Sequence, residues 1–323
     1  MTAVLHVRVI SPADRADEVV RTVAACEAAT HLIRLPGAAC VPPGDCVEFD
    51  VAREGANDVL AQLRALGLEE SGGITVEQLD LTVSAAADRA EASAPGDPDD
   101  AVVWAELTAR TAAESRMTWA FLAFLTLATQ IAAIGALLDQ PILIVGAMVL
   151  GPEFGPLAAL CFAALRRDVR QAGVAVRTLA VGFGAAMAVT LACAVVSRLL
   201  GWITPDMLGA RPLTGFIVHP DRWSFIVAVL AGAAGILSMT AGKSSSLIGV
   251  FISVTTVPAA GNIALALALG HWDEVGASFV QLGVNIAGML VSGTLTLAAQ
   301  RALWSRYGPR LGPARPAEPY RRA

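Results

Sequence analysis

Six long apolar runs, separated by shorter polar segments, dominate the chain from residue 118 to residue 300. Each run holds close to the roughly 20 residues that an α-helix needs to cross the hydrocarbon core of a bilayer. The pattern therefore predicts a polytopic α-helical membrane domain over 118–300 with six transmembrane helices. The predicted spans are about 118–138, 141–165, 173–199, 223–241, 245–270 and 275–299.

In residues 1–84, apolar and polar positions alternate over short distances, and long apolar runs are absent. Apolar and polar positions alternate in AVLHVRVI, which is typical of a half-buried strand, and an amphipathic helix capped by Ser11 is predicted to follow. Two strands across a Gly/Pro-rich turn, a second helix and a last strand complete the order βαββαβ. This order predicts an α+β ferredoxin-like domain over 1–84.

Two further segments frame the membrane domain. Residues 85–117 are predicted to be a polar linker followed by a juxtamembrane helix, with Asp99 or Asp100 as its cap. Residues 301–323 form a basic tail.

Composition agrees with this division. The chain is 55% hydrophobic and only 16% charged, against about 25% charged residues in soluble domains. Residues 1–100 carry 18 acids and 7 bases, whereas residues 101–323 carry 10 acids and 16 bases. We expect an acidic soluble domain, which argues against nucleic acid as a partner, joined to a domain whose partner is the lipid bilayer.

Basic residues also predict the orientation. With the N-terminus inside, 13 of the 16 bases after residue 100 flank the cytoplasmic ends of the spans, in accord with the positive-inside rule. The start of the chain is polar and strand-like rather than a signal peptide. The sequence therefore predicts a multi-pass protein of the inner (plasma) membrane with both termini in the cytoplasm.

The spans look repeated. IGALLDQPILIVGAMVLGPEFGPLAAL, from the first two spans, is similar to AGILSMTAGKSSSLIGVFISVTTVPAAGNIAL, from the fourth and fifth. Both contain a turn and then an apolar run with Pro-x-x-Gly, at 152–155 and 258–261. Three spans per repeat predict a 3+3 inverted repeat with broken second and fifth helices, which in transporters surround the central site.

Glu153 is the acid within the first of these breaks, between Pro152 and Pro156. Placing an ionisable residue inside a membrane costs free energy, and such residues usually have a function. We expect a substrate or ion site around Glu153, and two alternatives stay open: a neutral acid bonded to the other broken helix, or a carboxylate at the rim of a vestibule. The candidate site residues are Glu153, Pro152, Gly155, Thr255, Thr256, Pro258, Gly261, Asn262 and Asn285.

Lys243 is the single lysine of the chain, and Ser244 to Ser246 follow it. The first glycine of a Walker A loop is missing here, so a nucleotide site is not predicted. Lys243 either anchors the turn on the cytoplasmic side or, with Ser244, attracts an anion at a cytoplasmic mouth.

The two repeat segments, and GKSSSLIGVFISVTTVP most specifically, resemble a family of bacterial and archaeal membrane proteins described as an uncharacterised hydrophobic domain. The resemblance covers about residues 115–300. It implies a multi-span hydrophobic domain, often attached to a soluble one, and no established activity. An apolar or small polar residue commonly stands at the Glu153 position in that family.

The sequence shows no motif typical of an enzyme. The chain lacks HExxH and G-x-S-x-G motifs, its spans hold no histidine and no acid pair, and its cysteines fit no common zinc template, so we expect no enzyme, cofactor or metal. The sequence predicts a transporter or channel for a small solute or ion, which Glu153 would couple to protons or cations. The soluble domain would regulate it or form a homo-oligomer. The alternative is a membrane-anchored sensor or scaffold whose soluble domain binds a ligand.

Overall fold

A computed structural model describes residues 4–79, 81–94, 101–209, 211–218, 221–241 and 255–307. The chain divides into two compact units, Met1–Leu107 with Gln300–Ala323, and Thr108–Ala299.

The first unit is built on a four-stranded antiparallel sheet. Its strands are β1 (Val4–Ser11), β2 (Ala29–Cys40), β3 (Pro43–Ala52) and β4 (Gly73–Gln78), in the spatial order β2-β3-β1-β4. Helix α1 (Ala16–Ala24) joins β1 to β2, and α2 (Ala56–Ala65) with the short α3 (Leu68–Ser71) joins β3 to β4. The element order is the predicted βαββαβ. Val7, Val47 and Phe49 lie at the centre of its apolar core.

The prediction that Ser11 caps the first helix is wrong. Ser11 is the last residue of β1, where it pairs with Asp45 of β3, and α1 begins five residues later at Ala16. Strand β1 extends one residue beyond the predicted strand and includes Ser11. Pairing with β3 satisfies the backbone hydrogen-bonding groups at Ser11, so this residue is not available as a helix cap.

The predicted polar linker contains a helix, α4 (Ala85–Ser93), whose first turn is capped by the hydroxyl of Ser84. Ala87 and Ala90 are its buried positions. Helix α5 (Trp104–Glu114) follows, and its first amide donates to Asn57 Oδ1 at 3.1 Å. The predicted caps Asp99 and Asp100 lie outside the described residues.

The second unit is helical. Its helices are α6 (Trp119–Leu137), α7 (Pro141–Leu150), α8 (Phe154–Arg166), α9 (Val169–Leu199), α10 (Arg222–Thr240), α11 (Thr256–Leu269) and α12 (Trp272–Tyr307). Side-chain caps begin three of them: Thr118 accepts from Phe121 N, Asp168 from Gln171 N and Asp221 from Ser224 N.

Within the described residues, four helices are long and apolar enough to cross a membrane: α6, α9, α10 and most of α12. The pair α7 and α8, bent by 55° at its break, makes a fifth if it is one span. Of the predicted span 245–270, residues 245–254 lie outside the described residues, and α11 is shorter than a full span. The described residues thus hold four or five candidate spans, and they do not confirm the six predicted.

Helix α11 forms the centre of this unit, since 13 of its 14 residues are buried. A helix that is apolar and buried all round belongs to a core rather than a surface. The predicted break at Pro258-x-x-Gly261 is wrong, because α11 continues through it. Pro258 is the third residue of the helix, where its missing N–H needs no partner.

Candidate functional site

The break between α7 and α8 spans Gly151, Pro152 and Glu153. Gly151 is extended, with φ −67° and ψ 124°, and Glu153 directly precedes α8 as its N-cap residue. A Cβ at Gly151 would lie 2.3 Å from Glu153 Oε2 and 2.8 Å from Val257 Cγ2. Glycine is therefore needed at 151, because the carboxylate folds back over it against α11.

Glu153 is a buried acid, with 7% of its surface exposed. Its Oε1 accepts a hydrogen bond from Thr256 Oγ1 at 2.6 Å. Its Oε2 is also buried and has no hydrogen-bond partner among the described residues. The two carboxylate oxygens thus lie in different environments, and one of them is left for a proton or a cation.

Both helix starts have the same local form. Glu153 precedes α8, whose third residue is Pro156, and Thr255 precedes α11, whose third residue is Pro258. The bond between Glu153 and Thr256 brings these two N-termini together. Helix N-termini carry partial positive charge, so their approach stabilises a carboxylate between them.

Packing against α6 indicates the depth of the bond between Glu153 and Thr256. A Cβ at Gly261 would lie 2.7 Å from Thr129 O and 2.9 Å from Ala133 N, while Leu265 and Leu269 cluster with Ala133 and Leu137. Helix α11 therefore runs in the same direction as α6. Thr256 lies five residues before Gly261, about 7.5 Å along the helix, close to the midpoint of α6.

Thr255 is the centre of a second group of polar side chains, contributed by α12. Its hydroxyl accepts from Asn285 Nδ2 at 2.8 Å and from Gln281 Nε2 at 3.1 Å. Gln281 and Asn285 are almost fully buried, and Gln281 Oε1 has no partner within the described part of the chain. Gln281 Oε1 is therefore a second unpartnered acceptor, and it lies on α12. The same helix reaches the start of α11 through the bond from Asn285 to Thr255, the neighbour of Thr256.

Asn262 belongs to a third group, nearer the other end of α11. Its Oδ1 accepts from Arg211 Nη1 at 2.7 Å, and its Nδ2 donates to Ser278 Oγ at 3.0 Å and to Glu274 Oε2 at 3.2 Å. Arg211 also forms a short ion pair with Glu274. Arg211 comes from the connection between α9 and α10, yet its side chain is only 4% exposed.

This group adjoins a cavity of about 290 Å³, whose lining includes Leu208, Arg211, Gly215, Asp273, Glu274 and Ala277. We call this the loop end of the second unit, because residues 139, 201–209, 211–218 and 270–274 meet there. Asp139 fixes the connection by accepting from the Thr214 hydroxyl and from the amides of Leu213 and Thr214. Partial desolvation would raise the pKa of Asp139, but these hydrogen bonds together hold it below its usual value.

The predicted site residues separate into three sets. The structure brings Glu153 and Thr256 together, with Thr255 and Asn285 beside them, whereas Asn262 lies in the Arg211 group. Pro152, Gly155, Pro258 and Gly261 act through the backbone: Gly155, for example, leaves room for Glu114, whose Oε2 would be 3.0 Å from a Cβ there. Lys243 and Ser244 lie outside the described residues.

Arg211, Glu274, Ser278 and Gln281 were not among the predicted site residues. Three of them lie on α12 with Asn285, at positions 274, 278, 281 and 285, and this spacing places all four on one helix face. Such a polar stripe on an apolar helix was a readable signal. Within the described residues, no group of three or more His, Cys, Asp or Glu side chains could hold a metal ion.

In a comparison with known protein families, residues 148–291 match the family described as "Domain of unknown function (DUF389)". The uncharacterized protein MJ0678 of Methanocaldococcus jannaschii is 26% identical over 175 residues, which cover 54% of this chain and 52% of that protein. The chain thus matches about half the length of this curated relative. No solved structure matches the chain. The predicted resemblance to an uncharacterised domain family is confirmed, and neither match names an activity.

Proposed function

We propose that this protein, whose residues 148–291 match the domain of unknown function DUF389, is an integral membrane transporter or channel. It moves a proton or a small monovalent cation through a site at Glu153. The apolar helices support the membrane location, and the geometry of Glu153 supports the transported species.

The unpartnered Oε2 of Glu153 is the observation that carries this proposal. A buried acceptor without a hydrogen bond costs about 1–3 kcal/mol, and an ionised carboxylate at mid-membrane costs about 3 kcal/mol on insertion scales. A glutamine or an apolar residue would avoid the charge cost if the position only packed helices. An acid with one oxygen bonded and the other free is suited to exchanging a proton or a cation.

The wider architecture belongs to the same proposal. The first unit is a ferredoxin-like domain in the cytoplasm that regulates or oligomerises the protein, and the second is a 3+3 inverted repeat in the inner membrane. The matching starts of α8 and α11, each with proline in third position, support equivalent places for these helices in the two repeats. Their meeting at Glu153 and Thr256 is the arrangement expected of a central site.

The sensor or scaffold alternative calls for a core whose polar groups are all satisfied. In the first unit, both oxygens of Asp50 are bonded to histidines, Oδ1 to His6 at 2.8 Å and Oδ2 to His31 at 2.7 Å. In the second unit, Glu153 Oε2 and Gln281 Oε1 stay unpartnered within the described residues. The unpartnered groups of the second unit favour transport over the alternative.

Flux in proteoliposomes tests the proposal. Protein is reconstituted with a pH-sensitive dye inside and a panel of monovalent cations outside, and wild type is compared with Glu153→Gln. We expect proton or cation movement in the wild type and at least a tenfold loss in Glu153→Gln, because the amide keeps the size but cannot titrate.

Glu114→Gln is the matched control, since Glu114 is an acid that packs against the same segment at Gly155. It should keep wild-type flux. Equal flux in Glu153→Gln and wild type would remove Glu153 from the path, and absence of flux from folded wild-type protein for every ion tested would contradict the proposal.

A further inference from the structure

Helix α12 carries a buried polar face. Ser278, Gln281 and Asn285 are 0%, 1% and 2% exposed, and Glu274 lies one turn before Ser278. Phe279 and Val280, which point to the opposite side, are 51% and 55% exposed. The helix is therefore apolar towards its surroundings and polar towards α11.

Helix α11 completes this face with Asn262 and Thr255. Asn262 bonds Ser278 and Glu274, and Thr255 bonds Gln281 and Asn285, which also bond each other at 3.4 Å. We call the six side chains the polar seam: Glu274, Ser278, Gln281 and Asn285 of α12 with Asn262 and Thr255 of α11. From residue 274 to residue 285 it extends about 16 Å along α12.

The two ends of the polar seam are different. At the loop end, Glu274 lines the cavity of about 290 Å³, together with Asp273 and Ala277. At the inner end, Thr255 is followed in the chain by Thr256, which donates to Glu153. The seam thus connects a cavity to the acid at mid-membrane.

We propose that the polar seam is the path along which the cation or proton passes between the loop-end cavity and Glu153, and that Arg211 closes this path. The proposal rests on the proposed function, which it deepens. Serine, amide and carboxylate oxygens along the seam are hard ligands suited to a small cation, and Gln281 Oε1 is an unoccupied acceptor partway along it.

Arg211 closes the path by taking the place of the cation. Its guanidinium occupies Asn262 Oδ1 and Glu274 Oε2, which are the first acceptors an incoming cation would meet from the cavity. A positive charge already paired there repels a second one. Opening therefore requires the Arg211 side chain to leave these two acceptors.

The competing explanation is that the seam only joins two helices. Interhelical hydrogen bonds in membranes contribute about 0.6 kcal/mol each on average, so a dry seam would be an ordinary packing feature. The two explanations differ in one measurable property, since a path admits water and small cations while a packing seam does not.

Silver ion, a small monovalent cation that reacts with thiols, measures this access in nanodiscs. Ser278→Cys and Gln281→Cys are made in a chain whose five native cysteines are replaced by alanine. Val280→Cys is the matched control, because it lies between them on the exposed, apolar side of the same helix. Protection of each thiol is read as the fraction still alkylated by maleimide after denaturation.

The opening variant combines Arg211→Gln with Glu274→Gln. It removes both charges, so neither is left buried without its partner. Arg198→Gln removes a positive charge at the same end, where Arg198 donates to Ala268 O at 2.6 Å, and serves as the control for charge alone. Thermal unfolding in nanodiscs checks that each variant folds, and Arg211→Met with Glu274→Gln, which likewise leaves neither charge, replaces the double variant if that one does not fold.

We expect silver to react with the Ser278→Cys and Gln281→Cys thiols at least tenfold faster in the opening variant than in the arginine-containing protein. The rate at the Val280→Cys thiol should not increase in the opening variant. The rates at the Ser278→Cys and Gln281→Cys thiols should not increase in the Arg198→Gln background. Reaction at 278 and 281 no faster than at 280 in the opening variant would overturn the polar seam as a path.

Access is independent of flux, so this result and the flux of Glu153→Gln separate the two proposals. Silver access along the seam together with unchanged flux in Glu153→Gln would keep the path and remove the acid. Loss of flux in Glu153→Gln without silver access would keep the acid and show that the path lies elsewhere.

Discussion

Glu153 illustrates how a few residues around one acid define its chemistry. Thr256 satisfies one oxygen, Gly151 leaves room for the other, and no described residue bonds that second oxygen. The sequence identified Glu153 from its place between two prolines. It could not show that the carboxylate folds back over Gly151, because that depends on the backbone of the break.

Gly151→Ala should destabilise the second unit by about 1–3 kcal/mol, because the new Cβ would lie 2.3 Å from Glu153 Oε2 and 2.8 Å from Val257. Thermal unfolding in detergent measures this. Gly146→Ala is the control, since nothing lies within 4 Å of its Cβ position in α7 and alanine favours a helix.

A double-mutant cycle adds a sharper criterion. In the Glu153→Ala background the clash with the carboxylate is absent, so Gly151→Ala should be at least 1 kcal/mol less damaging there. Equal effects in both backgrounds would show that Gly151 does not accommodate the carboxylate.

At the scale of elements, the sequence predicted the type of most segments but not their ends. The break at Pro152 is present, because an extended Gly151 and two nearby prolines leave no continuous helix. The break expected at Pro258 is absent, because proline in the first turn of a helix is compatible with it. Proline therefore lies in a helix break at position 152 and in the first turn of a helix at position 258.

The connection between α9 and α10 carries information that its sequence did not reveal. Arg211 was not among the predicted site residues, yet it is buried against α11 and α12. Periodicity cannot locate the partner of a loop side chain, since that partner lies more than 50 residues away in Asn262. The stripe of polar residues on α12 could have been found by helical spacing.

Asp139→Asn tests the attachment of this connection. The left-handed backbone at 139, with φ 50°, suits asparagine, so the substitution changes mainly the charge that accepts the bonds from Leu213 and Thr214. Because the folded-state pKa of Asp139 is lowered, its charge stabilises the fold above the ordinary value of 3.8, and this stability is lost as the pH falls through the lower, folded-state pKa.

Wild type should therefore unfold at a higher temperature than Asp139→Asn at neutral pH, and the difference should shrink in acid. Thermal unfolding over a range of pH measures both. A difference that is constant with pH would contradict the assigned role of the charge.

For the whole molecule, composition alone separated an acidic first part from an apolar second part, and the structure divides the chain into two units near the same place, at Leu107. Alternation fixed the βαββαβ order because each strand buries one face. The number of spans was harder to predict, since a central helix such as α11 is buried by protein and reads from the sequence like a lipid-facing one.

The chemistry of the second unit follows from that central helix. Surrounded by α6, α7, α9 and α12, α11 meets Glu153 at its first turn and Arg211 further along. The polar seam lies between Arg211 at the loop end and Thr256, which donates to Glu153. The proposed transport therefore requires Glu153 to exchange a proton or a cation at this place.

Infrared difference spectroscopy on the reconstituted protein tests that claim most directly. As the pH is lowered, or the transported cation is removed, all three proteins should share the protonated C=O bands of their other carboxyls. One further protonated C=O band should appear in wild type and in Glu114→Gln but not in Glu153→Gln. The same difference band in Glu153→Gln as in wild type would contradict the account, because another acid would then be the group that exchanges.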